Sequence, residues 1–133
     1  MSDIAHSYNF LVREDHLDTF GHVNNAVYLE LFEEARWDWI TKNGYGLEEI
    51  KKTGLGPVVL EVHLVFKREL KLRQEITVDS TIMETKGKIS TLKQEMRDKD
   101  RNLCCEAVFT FALFDLNKRK IVTPTEQWKK ALS

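Results

Sequence analysis

The segment that most constrains the fold is residues 25–42, NAVYLELFEEARWDWITK. Tyr28, Phe32, Ala35 and Trp39 recur at three- and four-residue spacings, the period of an α-helix, with Val27 and Leu31 beside them. Leu29, Trp37 and Ile40 widen the apolar coverage beyond a narrow stripe. Such a helix has to be surrounded on several sides, and a sheet wrapped round it meets that need. Asn24 or Asn25 can cap its first amides, Glu30, Glu33 and Glu34 sit near its positive end, and Gly44 and Gly46 stop it.

The rest of the chain supplies the sheet. Tyr8, Phe10 and Val12 alternate in a first strand from Ser7 to Arg13, and residues 14–24 break the period with charges and Gly21, as a loop does. After Gly54, Gly56 and Pro57, strand patterns cover about 58–69, 73–85, 88–99 and 102–116, with turns at 83–87 and 98–102. Short helical turns are expected over Leu47–Lys52 and over Glu126–Leu132, the latter with Trp128 docked. In the last long strand both side-chain sets are apolar: Cys105, Ala107, Phe109, Phe111 and Leu113 on one face, Cys104, Val108, Ala112 and Phe114 on the other. Both faces therefore need cover, from the helix on one side and a partner subunit on the other. The fold class is α+β. At 133 residues and 15.6 kDa, with no linker or repeat, one domain over residues 1–133 is expected, with no room for a separate cofactor domain.

The N-terminus MSDIAHSYNF has no basic start followed by an apolar run, and no segment approaches the ~20 apolar residues that cross a bilayer, so a cytoplasmic protein without membrane insertion is expected. Cys104 and Cys105 are adjacent in a strand and fit neither a disulfide framework nor a metal knuckle; they read as buried apolar thiols. His6, His16 and His63 have no ligand spacing, so no metal is expected, and no phosphate loop or dinucleotide fingerprint occurs. A net charge of -1 argues against nucleic acid as partner. The charge is uneven: residues 1–50 hold 3 Lys and Arg against 10 Asp and Glu, residues 51–133 hold 17 against 11. A basic second half suits an anionic ligand in a cleft, and equally an ordinary solvated surface.

Residues 12–39 read VREDHLDTFGHVNNAVYLELFEEARWDW. This resembles the signature of the 4-hydroxybenzoyl-CoA thioesterase-like family of hot-dog proteins, carried here by Asp18, Gly21, His22-Val23-Asn24-Asn25, Tyr28 and Phe32-Glu33-Glu34-Ala35-Arg36. Family members commonly have an acidic residue two positions before the catalytic one, where this chain has His16, with Asp15 one further back. The resemblance implies a hot-dog fold, a long antiparallel sheet curled round one central helix. It further implies a homodimer or homotetramer with sites between subunits, hydrolysis of an acyl-CoA thioester, and no cofactor. By similarity Asp18 is the catalytic carboxylate and the backbone amide of Asn25 the oxyanion donor.

Thioester hydrolysis needs an attacking oxygen and a donor for the charge that develops on the carbonyl oxygen. Asp18 suits the first as a general base on water or as a nucleophile forming an anhydride, and the sequence leaves both open. An unpaired N–H at a helix start suits the second. A lone aspartate near a glycine is also an ordinary turn residue. Gly21, His22, Asn24 and Tyr28 are supporting candidates that shape the loop, the helix start and the pocket. Glu33 and Arg36, at i,i+3, are candidates for a supporting ion pair that helps place Asp18. Lys67, Arg68, Lys71 and Arg73, with Lys86 and Lys88, are candidates for the phosphates of coenzyme A. The alternatives are a noncatalytic acyl-CoA-binding hot-dog module, an acyl carrier protein thioesterase and a hot-dog dehydratase.

Overall fold

The computed structural model describes residues 3–133; Met1 and Ser2, which open the N-terminal segment and the expected domain, lie outside the described residues. In chain order the elements are β1 (His6–Leu11), a 3-10 turn (Glu14–His16), α1 (Asn25–Lys42), α2 (Leu47–Thr53), β2 (Leu55–Phe66), β3 (Glu75–Lys86), β4 (Ile89–Arg97), β5 (Leu103–Asp115), β6 (Lys120–Val122) and α3 (Glu126–Ala131). The strands form one antiparallel sheet in the order β1-β3-β4-β5-β2, with β6 joined to β5. This is the expected hot-dog arrangement, a curved antiparallel sheet around one long helix. No helix among the described residues is long and apolar enough to cross a membrane.

The helix buries Tyr28, Leu31, Phe32, Ala35, Trp39 and Ile40. Phe32 meets the edge of Phe109 on β5 at 6.0 Å between ring centroids. Complete burial of a side chain of that size contributes about 1.5–3 kcal/mol. Leu29 and Trp37 do not join this core: they are 40% and 38% exposed, and with Glu33 they form a line on the open side of α1. The wide apolar coverage read from the sequence is thus satisfied by the sheet for Ile40 only.

On β5 the face carrying Cys105, Ala107, Phe109, Phe111 and Leu113 is wholly buried. On the other face Cys104 and Ala112 are buried but Val108 and Phe114 are half-buried, so its cover is incomplete within one chain. Burial raises the pKa of the Cys104 thiol and pushes that of Cys105 up to about 12, which leaves both as apolar side chains.

Strand ends shift for local reasons. β1 stops at Leu11 because the Arg13 amide turns to the His16 ring, and β3 starts at Glu75 because Gln74 closes a turn onto the Lys71 carbonyl. β6 was not legible as a strand; its three residues continue the β4 side of β5 beyond Ala112, where β4 ends. At the end of the molecule where α1 terminates, Trp128 of α3 meets the edge of Tyr45 at 5.1 Å, and the Tyr45 hydroxyl donates to the Leu55 carbonyl at 3.0 Å.

Candidate active site

The loop that carries Asp18 is pinned at both ends by His16. The His16 ring accepts from the Arg13 amide at 2.9 Å through Nδ1, and its carbonyl accepts from the Asn24 amide at 3.1 Å. His16 is buried and lies edge-on to Phe10. A bridge between Leu17 and Val23 then closes a tight reversal over residues 18–22. Within it Asp18 donates its amide to the His22 carbonyl at 2.8 Å, and its carboxylate Oδ1 accepts from the amides of Phe20 at 2.9 Å and His22 at 3.3 Å. Gly21 takes φ +80°, the left-handed region in which a Cβ is strained, and its amide closes onto the Asp18 carbonyl. Asp18 Oδ2 has no hydrogen-bond partner among the described residues.

Asn24 is the N-cap of α1. Its side chain accepts from the Ala26 amide and its carbonyl from the Val27 amide, each at 2.9 Å. The Asn25 N–H between them has no partner among the described residues, so an unshared donor stands at the positive end of the helix. Beside it lies an open cleft of about 350 Å³, bounded by His22, Asn25 and Tyr28 on one side and by Phe66, Lys67 and Arg68 on the other. Tyr28 and Phe66 meet edge to face at 4.9 Å, and burial raises the pKa of the Tyr28 hydroxyl against an opposing contribution from the Leu70 amide. The amides of Lys67 and Arg68 both donate to the Cys104 carbonyl, which ends β2 and holds these two residues at the cleft. His22 Nδ1 contacts the Glu69 carboxylate across it.

The expected residues divide accordingly. His22, Asn25, Tyr28, Lys67 and Arg68 line the cleft, and Asn24 and Gly21 shape its approach; Asp18 is on the adjoining loop and does not itself line it. The supporting ion pair is corrected: Glu33 is exposed and makes no salt bridge with Arg36. Arg36 instead donates to Gln94 Oε1 at 2.9 Å and lies over the Phe109 ring at 4.3 Å, because the helix turns it towards the sheet. Burial lowers its pKa to about 10, with Glu33 opposing. Both residues stand about 12 Å or more along α1 from Asn25, at ~1.5 Å per residue.

The phosphate candidates do not converge within one chain. Arg73 is bonded to Glu14 at 2.8 and 2.9 Å, and Lys71 is exposed on the turn before β3. Lys86 and Lys88 flank the β3–β4 turn, whose register through Ile89 and Ala112 aligns with Val58, eight residues along β2 from Phe66. That is about 26 Å at ~3.3 Å per residue, the opposite end of the sheet. Phe66, Glu69, His16 and Gln94 were not singled out as site residues from the sequence. A lone amide in the inner row between Leu92 and Met96 was the one available signal for Gln94.

Comparison with known proteins agrees with this architecture. The family model of the thioesterase-like superfamily matches residues 12–132. The long-chain acyl-CoA thioesterase FadM of Escherichia coli (strain K12) is 33% identical over 110 residues, which cover 82% of this chain and 83% of that protein. Among solved structures, the probable thioesterase YbaW of Escherichia coli superposes with a TM-score of 0.83 at 28% identity, covering 96% of each chain. The SAV2348 protein of Staphylococcus aureus, solved in complex with CoA, superposes with a TM-score of 0.88 at 18% identity, covering 98% of this chain and 82% of that one, a likeness of fold. The chain belongs to the hot-dog-fold thioesterase-like superfamily.

Proposed function

We propose that this protein hydrolyses an acyl-CoA thioester to a free carboxylate and coenzyme A. The observation that carries the reading is the unshared Asn25 N–H at the start of α1, opening on the cleft of Tyr28, Phe66, Lys67 and Arg68 beside the Asp18 loop. The thioester carbonyl oxygen accepts from this N–H. Asp18, through Oδ2, either takes a proton from an attacking water or attacks the carbonyl carbon itself to form an anhydride that water then cleaves. In both routes the carbon–sulfur bond breaks and the pair leaves as the coenzyme A thiolate. A donor at the oxyanion contributes about 3 kcal/mol to such a step. His22, Asn24 and Gly21 hold the loop, and Tyr28 walls the acyl side.

Lys67 and Arg68 are the phosphate contacts in this reading, with Lys71 beyond them on the same connection. The 33% identity to a long-chain acyl-CoA thioesterase supports coenzyme A as carrier. The unpaired edge of β2, with Val59, Leu60 and Val62 exposed, and the exposed Leu29 and Trp37 of α1 support a homodimer or homotetramer. One feature favours a second reading, a noncatalytic acyl-CoA-binding module: Asp18 Oδ1 already caps two loop amides, as a purely structural aspartate does.

Free-thiol release from short, medium, long and aromatic acyl-CoAs separates the two. Thiol release above the spontaneous rate from at least one class is expected. Tight acyl-CoA binding with no release from any class would establish the binding module.

A further inference from the structure

Residues 18–22, the tip of the reversal that carries Asp18, are fastened to one another more than to the rest of the molecule. The Asp18 amide and carboxylate both bond to the His22 backbone, and the Gly21 amide closes onto the Asp18 carbonyl. Phe20 is 84% exposed, and apart from the chain neighbours no atom stands within 4 Å of where a Cβ on Gly21 would project. The Leu17–Val23 bridge fixes the base of the reversal and leaves its tip free. Among the described residues, one hydrogen bond or ion pair leads from this tip to a distant part of the chain: the contact of His22 Nδ1 with the Glu69 carboxylate.

Glu69 stands on a fixed stretch of backbone. The Arg68 amide before it donates to the Cys104 carbonyl at 2.9 Å, and Leu70 after it is fully buried. Among the described residues Glu69 forms no ion pair with Lys67 or Arg68, so its carboxylate is committed to the imidazole. A carboxylate against an imidazole nitrogen requires a proton on that nitrogen, which neutral and charged histidine both supply, so the contact does not depend on a charged His22. We propose that Glu69 is a positioning residue that acts through His22 to hold the Asp18 carboxylate at the edge of the cleft. The proposal rests on the thioesterase reading and adds a residue to its site. The chain of contacts is short: Glu69 fixes the His22 ring, the His22 carbonyl accepts from the Asp18 amide at 2.8 Å, and the His22 amide donates to Asp18 Oδ1 at 3.3 Å. Both side chains of the pair are about half exposed, at 54% and 49%, so its loss leaves the fold intact. A displacement of about 1 Å at a reacting group, by contrast, can cost up to about 100-fold in rate.

Glu69→Ala is expected to lower kcat for the best acyl-CoA substrate by about three- to tenfold, with KM and Tm unchanged. Glu69→Gln, whose amide oxygen can still accept from Nδ1, is expected to restore most of that loss. If Glu69 acted only as a charge beside Lys67 and Arg68, KM would move instead and the glutamine variant would behave like the alanine one. In a His22→Ala background the same change at Glu69 is expected to add nothing, since the tether is already gone. Amide hydrogen exchange tests the tether without turnover. In Glu69→Ala the Phe20 and His22 amides, both bonded to Asp18 Oδ1, are expected to exchange about two- to fivefold faster, while the Asn24 amide, bonded to the His16 carbonyl, keeps its rate. Unchanged exchange at Phe20 and His22, additive losses at His22 and Glu69, or a change confined to KM overturns the proposal. Failure of every acyl-CoA to release thiol would reject the hydrolase reading instead, while the exchange rates still decide whether Glu69 holds the loop.

Discussion

Arg36 is a cation largely withdrawn from water with no carboxylate bonded to it, and Gln94 is what makes that tolerable. The Gln94 side chain is 0% exposed, accepts from Arg36 at 2.9 Å, and donates to the Phe32 carbonyl and the Ser80 hydroxyl at 3.2 and 3.0 Å. It ties α1 to β3 and β4 and gives the guanidinium a buried acceptor. Gln94→Leu keeps the approximate volume and removes all three bonds. A loss of about 1.5–3 kcal/mol is expected, the range for a hydrogen bond to a charged group, read as a lower urea midpoint at constant m. A midpoint within error of wild type would mean that Arg36 finds another acceptor. The sequence made Asn24, Asn25 and Tyr28 legible because capping and periodicity act over a few residues. It left the partner of Arg36 illegible because that contact joins positions 58 apart, and it assigned to Glu33 a bond that the sheet takes. Lys86 and Lys88 looked like companions of Lys67 and Arg68 because all six bases lie close along the chain, whereas strand register sends them to opposite ends.

At the scale of elements, the join between α2 and β2 sets where the edge strand begins. Gly54 ends α2 at φ +73°, and its amide closes onto the Ile50 carbonyl at 2.8 Å. A Cβ there would also stand 2.8 Å from Asn117 Nδ2, a side-chain end that can move, so the backbone conformation is the larger obstacle. Gly54→Ala is expected to cost about 1–2 kcal/mol, seen as a fall in Tm. An unchanged Tm would show that the α2–β2 corner tolerates another geometry. Four long strands and α1 were legible because each carries its own periodicity over many residues; β6, with three, has no period to read. The turn from Lys71 to Gln74, held by hydrogen bonds of the backbone and of the Gln74 side chain, likewise trimmed a strand that β-propensity alone would extend.

The whole molecule presents an uneven surface. Val59 and Leu60 on the unpaired β2 edge are 44% and 47% exposed, Leu29 and Trp37 on α1 are exposed as well, and the outer face of β5 is only half-covered. Unpaired apolar edges of this kind are met by another chain or cause aggregation. Light scattering is expected to give a mass at least twice 15.6 kDa; a mass of 15.6 kDa at all concentrations would exclude the homo-oligomer. Everything proposed for the reaction depends on the charge of Asp18, and its geometry permits a clean test. In Asp18→Asn the amide oxygen can still accept from the Phe20 and His22 amides, so the turn survives while the negative charge is lost. With Tm unchanged, thiol release from the best acyl-CoA substrate is expected to fall by about 100-fold or more. Wild-type turnover in a folded Asp18→Asn protein would contradict the account at its centre and leave Asp18 as a turn residue.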